Sequence, residues 1–383
     1  MKFICDQKSI VDYLSCVAKF VSKNHPTNSL VNLELEDDML TLRSFSGSVY
    51  LEISLLVVGE IDGNILVNPT ILFPIIKTLG EGDVFFHANS KLQVQQGNNC
   101  RDVSIQDGEE FLKLPYVAEE FRIETTPDDL LAAMKTVRFA KAVDNSEYPV
   151  LNGYYVDTEE NLLMAGDGRR VAYTPFVYND GNYKFTLPPQ TFDVLTSVHK
   201  LVGGDSLLLQ GGSASWLGIE LNGAMIRLGT LYGEYPTAAM TWLKQLREDT
   251  TGTVATFNKD ELVSEAKISI TYSGLAARAH TFQGVRIDLN DHGVRFMVKS
   301  PDGNLDDFCD LVPVSGEPTW VSLFPPYLLQ AATSAPEEEI DLVVWSAHKA
   351  VLLRSGDWFV VQAPFADSDV VERWRDEYEN VND

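Results

Sequence analysis

Cysteine is scarce in this 383-residue chain, and positive charge is scarce beside negative. The four cysteines, Cys5, Cys16, Cys100 and Cys309, are too few and too unevenly spaced for a disulfide framework or a zinc site, which needs close Cys or His pairs. Buried or reduced thiols are expected instead. Lys and Arg number 30 against 55 Asp and Glu, a formal net charge of -25. That balance excludes a basic protein that coats DNA or an anionic membrane, so any nucleic-acid contact must be local. No stretch reaches the roughly 18 uninterrupted apolar residues of a membrane span. The opening Met1-Lys2-Phe3-Ile4-Cys5-Asp6 meets an acidic residue before a signal-peptide core can form. A soluble, cytoplasmic chain with no membrane contact is expected.

Chemical motifs are missing too. No segment has the Gly-x4-Gly-Lys-Ser/Thr or Gly-x-Gly-x2-Gly arrangement that cradles phosphate before a helix. Gly203-Gly204 and Gly211-Gly212 fit hairpin turns better. The six histidines, His25, His87, His199, His280, His292 and His348, lack the i, i+4 spacing that puts two imidazoles on one metal. Carboxylates are so abundant that no single pair points to acid and base catalysis. Neither an enzyme, a metal site nor a cofactor is expected.

What is present is a repeat. With 45% apolar and 22% charged residues the composition is globular, and the length exceeds the ~250–300 residues that one core serves. Amphipathic helices open at Gln7, Pro127 and Asn258, 120 and 131 residues apart. Each precedes a hairpin of alternating apolar positions. The first runs from Val31, Leu33 and Leu35 through Asp37-Asp38 to Leu40; the second joins Gly153–Val156 to Leu162–Ala165; the third joins Val285–Leu289 to Val294–Val298. A second helix follows in each unit, at Pro69, Pro189 and Pro326, where proline suits a first helical turn. Pro74 inside the first of these predicts a kink or a late start. Two strands follow each second helix. The fold class is α+β: three similar domains, at 1–121, 122–246 and 247–366, with an acidic tail at 367–383.

Helices carry much of the scarce positive charge. Lys19 and Lys23 follow Ser15 at i+4 steps, and Lys135, Arg138 and Lys141 follow each other at i+3. Lys77, His199, Lys200 and Lys267 add to the remaining helices. Any one lysine is best explained as a solvated helix face; together they suit loose phosphate contact on one basic surface.

The segment Tyr148-Pro149-Val150-Leu151-Asn152-Gly153, the turn Gly166-Asp167-Gly168-Arg169-Arg170-Val171-Ala172 and the closing Gly233-Glu234-Tyr235-Pro236 carry a resemblance. They are similar to the middle domain of the bacterial DNA polymerase III beta subunit, the sliding clamp, and Met1-Lys2-Phe3 looks like its opening. The divergence suggests a bacterial or bacteriophage source. The resemblance implies a homodimer closing head to tail into a ring, with helices lining a hole around double-stranded DNA. It implies subunit contact through sheet edges near Val103 and Ile105. It also implies an apolar pocket that takes short linear peptides from the DNA polymerase and the clamp loader. Matched to the family, the pocket comprises Leu151, Gly168, Arg169, Arg170, Val171, Pro236 and Met240 from the middle domain. Val361, Ala363, Pro364 and Phe365 come from the last. Gly166 stands for the usual Thr, Arg169 for the usual His, Met240 for a common Arg, and Ala363 and Phe365 for two methionines, so the peptide preference is expected to differ.

In the tail, Val370, Trp374 and Tyr378 recur every four residues, giving a short helix one apolar stripe to dock on the chain's own third domain or near the pocket. A frayed acidic terminus is the plainer expectation. Two rivals stand beside the clamp: an acidic three-domain scaffold that binds proteins but not DNA, and an enzyme with a site assembled between domains.

Overall fold

A computed structural model of the chain describes residues 1–22, 29–177, 182–236, 239–278, 284–300 and 303–365. The chain divides into two compact units, Met1–Leu131 with Tyr178–Leu231, and Ala132–Val177 with Tyr232–Asp383. The division falls inside the second expected repeat, because strands of one repeat pair with strands of the next.

In the first unit, helix α1 (Gln7–Val17) starts where the Asp6 carboxylate accepts the Ser9 N–H at 2.9 Å. It buries Ile10, Leu14, Cys16 and Val17. Helix α2 (Pro69–Lys77) begins at Pro69 with Asn68 capping Thr70 at 2.9 Å. The late start expected from Pro74 does not occur, since the cap and Pro69 set the first turn and the helix ends three residues beyond Pro74.

A nine-stranded antiparallel sheet runs in the order Ile105–Asp107, Gly63–Val67, Val31–Glu36, Met39–Phe45, Val49–Leu56, Ala224–Gly229, Trp216–Leu221, Leu207–Gly211, Phe121–Thr125. Its continuity depends on the pairing of Val49 with Leu228 and Glu52 with Met225, which joins the first repeat to the second. A five-stranded sheet, Val58–Ile61, Lys2–Asp6, Asp83–Ala88, Leu92–Gln96 and Asn99–Val103, completes this unit's strands.

Helix α3 (Pro127–Val137) has residues in both units. Helix α4 (Thr191–Val202) belongs to the first, where it packs on α1, as does α2. In the second unit a sheet continues in the order Tyr154–Asp157, Leu162–Gly166, Arg170–Pro175, Trp358–Gln362, Val351–Ser355, Glu339–Val344, Thr253–Asn258, Val314–Ser315. A four-stranded sheet lies in the order Gly303–Cys309, Gly293–Ser300, Val285–Asn290, Thr319–Leu323. Helix α5 (Ala239–Glu248) is an element that the repeat did not announce. Helix α6 (Lys259–Arg278) packs against α7 (Pro325–Ser334).

The three expected hairpins are present, and each turn carries one residue in the left-handed region: Asp37 (φ 51°), Asn161 (φ 51°) and Gly293 (φ 140°). At Gly293 a β-carbon would stand 2.3 Å from the Cys309 carbonyl oxygen, so the turn needs glycine. All four cysteines are free: Cys5 and Cys16 are buried, and burial raises their thiols to about 12 and about 11, while Cys309 is half-buried and Cys100 exposed.

One stripe of α6 is polar where it is covered. Glu265, Ser269 and Ser273 follow at four-residue steps, and Glu265 Oε2 and both hydroxyls have no hydrogen-bond partner among the described residues. Burial, with Asp307 and Glu261 nearby, holds the Glu265 carboxyl above the ordinary carboxylate range. Because the folded value is raised, ionisation costs stability as pH climbs from the unfolded value through the folded one, and costs nothing below both. Glu265→Gln is therefore expected to raise Tm by about 2 °C at about pH 7 and to leave it unchanged at about pH 3, as thermal melts at the two pH values will show.

Candidate partner-binding pocket

The turn Gly166-Asp167-Gly168-Arg169 is built around one carboxylate. Asp167 Oδ1 accepts the N–H groups of Arg169 at 2.9 Å and Arg170 at 3.0 Å, an Asx turn that needs the left-handed Gly168 (φ 88°) between them. Asp167 Oδ2 receives Arg170 Nε at 3.1 Å.

The Arg170 side chain is buried, and its guanidinium has a partner for each nitrogen. Nη1 donates to Gln330 Oε1 on α7 at 2.7 Å, and Nη2 to the Phe139 carbonyl at 2.5 Å. Its plane lies 3.7 Å from the Tyr327 ring centroid and 5.2 Å from that of Phe139. Burial pulls the guanidinium below its ordinary value while Asp167 opposes the shift. Arg170 thus acts as a strut that ties the turn to α7 and to the 3-10 turn Arg138–Ala140.

Beyond the turn, Arg170–Pro175 pairs with Trp358–Gln362, Val171 opposite Val361 and Tyr173 opposite Phe359, whose rings stack at 4.5 Å. Leu243 of α5 packs on this face with Val361 and Phe359. On the other side, Leu151 is placed by a 3-10 turn, Pro149–Asn152, so the strand begins at Tyr154, after the Pro-Val-Leu segment. Tyr235 stacks on Tyr155 at 4.9 Å with its hydroxyl buried over Gly166. A β-carbon at Gly166 would stand 3.0 Å from the Arg170 carbonyl oxygen and 3.4 Å from that hydroxyl, so a larger residue there would press on both.

These parts enclose a cavity of about 410 Å³, within the range of small-ligand sites. Of the residues expected from sequence, Leu151, Gly168, Arg169, Arg170, Val171, Pro236, Val361 and Ala363 line it. Pro364 and Phe365 do not: the Phe365 N–H is bound to the Ser322 carbonyl at 2.7 Å and its ring stacks with Phe324 at 6.4 Å. The side chain of Met240 lies outside the described residues. Gly166 and Tyr235, which lie inside the quoted motifs, were not named as lining residues; Met164, just before the turn, and Leu243 and Ala350, which carry no local signal, were missed.

The helix cations fall into different settings. In the first unit Lys19, Lys77 and Lys200 are exposed, on or directly after helix α1 and the two helices packed on it, α2 and α4. Lys19 Nζ donates to Ser197 Oγ at 3.4 Å, and His199 Nε2 lies 3.2 Å from Asp128 Oδ1, so His199 is engaged by a carboxylate of the same unit. Lys135, Arg138 and Lys267 are exposed, Lys141 is half-buried, and Lys23 lies outside the described residues. Val103, 2% exposed, sits in the edge strand of the five-stranded sheet, and half-buried Ile105 in an edge strand of the larger one. At Val103 a partner strand would meet backbone, since the side chain is spent on the core.

Removing the strut tests its role. Arg170→Ala is expected to cost about 3 kcal/mol in urea unfolding, because it strands Asp167 and the acceptors behind it. Arg170→Lys should recover only part of the loss, since an ammonium cannot reach all three acceptors in one plane.

Residues 1–115 match the family described as DNA polymerase III beta subunit, N-terminal domain. No curated protein matches the chain in sequence. Among solved structures, the DNA polymerase III subunit beta from Pseudomonas aeruginosa aligns with TM-score 0.85 at 17% identity, covering 96% of this chain and 100% of that one. The beta subunit from DNA polymerase of Streptococcus pyogenes gives the same values. The DNA polymerase sliding clamp from Bacillus subtilis gives TM-score 0.83 at 18% identity, covering 96% and 99%. One Pseudomonas aeruginosa sliding clamp of this fold, at 17% identity, TM-score 0.85 and 96% and 100% coverage, is bound to griselimycin. This chain therefore has the fold of bacterial DNA polymerase III beta sliding clamps over nearly its whole length, and its residues 1–115 match that family's N-terminal domain.

Proposed function

We propose that the protein is a non-enzymatic DNA sliding clamp of the cytoplasm. Two chains, each of three domains at 1–121, 122–246 and 247–366, close head to tail into a ring around duplex DNA. The ring tethers a replicative polymerase through short linear peptides that enter the cavity beside the Gly166–Val171 turn; the clamp loader uses the same site. Tethering turns repeated association into an intramolecular event and raises the effective concentration of polymerase at the primer end without bond chemistry.

The observation that carries this reading is the cavity itself. Eight residues named from the clamp resemblance converge on one apolar space of ligand size in a chain with the clamp fold. The charge distribution supports it. A ring held by topology needs few phosphate contacts, so a net charge of -25 is compatible with DNA passing through it, provided the cations face the duplex. The exposed Lys19, Lys77, Lys135, Arg138, Lys200 and Lys267 are the candidates for that surface, and half-buried Lys141 and, by sequence alone, Lys23 are further candidates. The sheet edges at Val103 and Ile105 are the candidates for the subunit contact.

Negative-stain electron microscopy of the purified protein is expected to show a six-lobed ring with a central hole. A compact particle without a hole would refute the clamp, and a three-lobed crescent would refute a stable dimer. Changing Lys19, Lys77, Arg138 and Lys200 together to Ala is expected to weaken binding to linear duplex. It should also flatten the plot of log affinity against log salt, by about 0.9 for each phosphate that the variant no longer neutralises. An unchanged slope would mean that these helices do not face DNA.

A further inference from the structure

The described chain leaves the second unit at the lip of the cavity. Ala363 is a lining residue, its N–H donates to the Arg169 carbonyl at 2.9 Å, and Phe365, two residues on, is the last residue described. Residues 366–383 follow. At about 3.3 Å per residue they reach up to about 60 Å, far more than a return to the cavity needs.

The composition of this segment matches the place where it starts. It carries Asp367, Asp369, Glu372, Asp376, Glu377, Glu379 and Asp383 against Arg373 and Arg375. Most of a chain of net charge -25 repels such a segment. Cations around the cavity relieve part of that repulsion. Arg169 is an exposed lining residue, Lys349 is exposed next to the lining Ala350, and exposed Arg247 lies one turn beyond the lining Leu243 on α5. Arg247 shares Asp357 at 2.8 Å and covers the stacked Tyr173 and Phe359 rings, and Glu234 is the exposed acid next to Tyr235. Exposed Glu248 and Asp249 follow Arg247, and Asp249 interacts electrostatically with Lys349, so the rim is a mixed surface on which three exposed cations stand among acids. Within the acidic segment, Val370, Trp374 and Tyr378 provide apolar side chains at four-residue steps, the helical spacing with which a peptide fills an apolar groove.

We propose that residues 366–383 fold back and occupy the cavity of their own chain, with Val370, Trp374 and Tyr378 as the apolar anchor and Arg169, Lys349 and Arg247 holding the acidic flanks. The segment is then a built-in competitor of partner peptides, and a partner must displace it. This rests on reading the cavity as the partner-peptide site. A short tether gives an effective concentration on the order of 1 mM, so an intrinsic Kd on the order of 0.1 mM suffices to weaken any external ligand about tenfold.

Two measurements on the full chain test the proposal. In the first, griselimycin is titrated by calorimetry into the unaltered chain and into a full-length variant with Val370→Ser, Trp374→Ser and Tyr378→Ser. About tenfold tighter binding by the variant is expected, and equal binding overturns the proposal. In the second, Trp374 is replaced in the full chain by the photo-crosslinker p-benzoylphenylalanine. Adducts to Val171, Leu243 or Val361 within a single chain are expected. Adducts elsewhere, adducts that join two chains, or no adduct overturn the proposal. If griselimycin binds neither protein, the reading of the cavity as a clamp peptide site loses its support, and crosslinking alone decides whether the segment occupies the cavity.

Discussion

The pairing of Arg170–Pro175 with Trp358–Gln362 is the interaction on which the candidate site depends. It joins strands almost two hundred residues apart in sequence, and it is an antiparallel ladder whose backbone groups are covered and must be satisfied. Once the ladder forms, Val171 meets Val361, Tyr173 meets Phe359, and α5 has an apolar face to lie on. The Trp358 indole then reaches the Thr136 carbonyl at 3.0 Å, fixing the end of α3 to the same sheet. Without the ladder, each half of the cavity wall would be an exposed edge strand, which natural sheets avoid leaving long and apolar.

The charged groups at this site do different work from those on the helices. Arg170 is removed from water, so it needs Asp167, Gln330 and Phe139 together to offset desolvation, and the same partners make it a positional element. Arg169, next to it in sequence, is exposed and free to meet a solute. Adjacent arginines thus have separate roles because Arg169 ends the turn, exposed, while Arg170 opens the strand with its side chain buried. The helix cations remain hydrated, which suits weak, sequence-independent contact and keeps their contribution sensitive to salt.

Much of this was legible in the chain. The helix and hairpin of each repeat and the prolines of the second helices follow from short-range spacing, whereas the caps and the left-handed turn residues were seen only in the structure. Leu151, Gly168, Arg169, Arg170, Val171 and Pro236 were legible only through the likeness of their short segments to the sliding-clamp family; the Asx turn at Asp167 gives a physical reason for Asp and Gly in one of those segments. Leu243 and Ala350 were not, since an apolar residue on a helix or beside a strand has the same local appearance whether it faces a cavity or a closed core. Phe365 failed for a related reason: a terminal aromatic fits any apolar neighbour, and here Phe324 supplies a nearer one than the cavity.

The sequence by itself determined the kind and order of elements, the α+β class and the threefold recurrence, because helical and strand periods and turn sterics act over a few residues. Only the tertiary structure decided which edges pair across repeats and which side chains share the cavity. It also decided that the chain divides through its second repeat. The N–H and C=O groups of a strand edge are alike in every strand, so partner choice depends on long-range packing and is written in no local pattern.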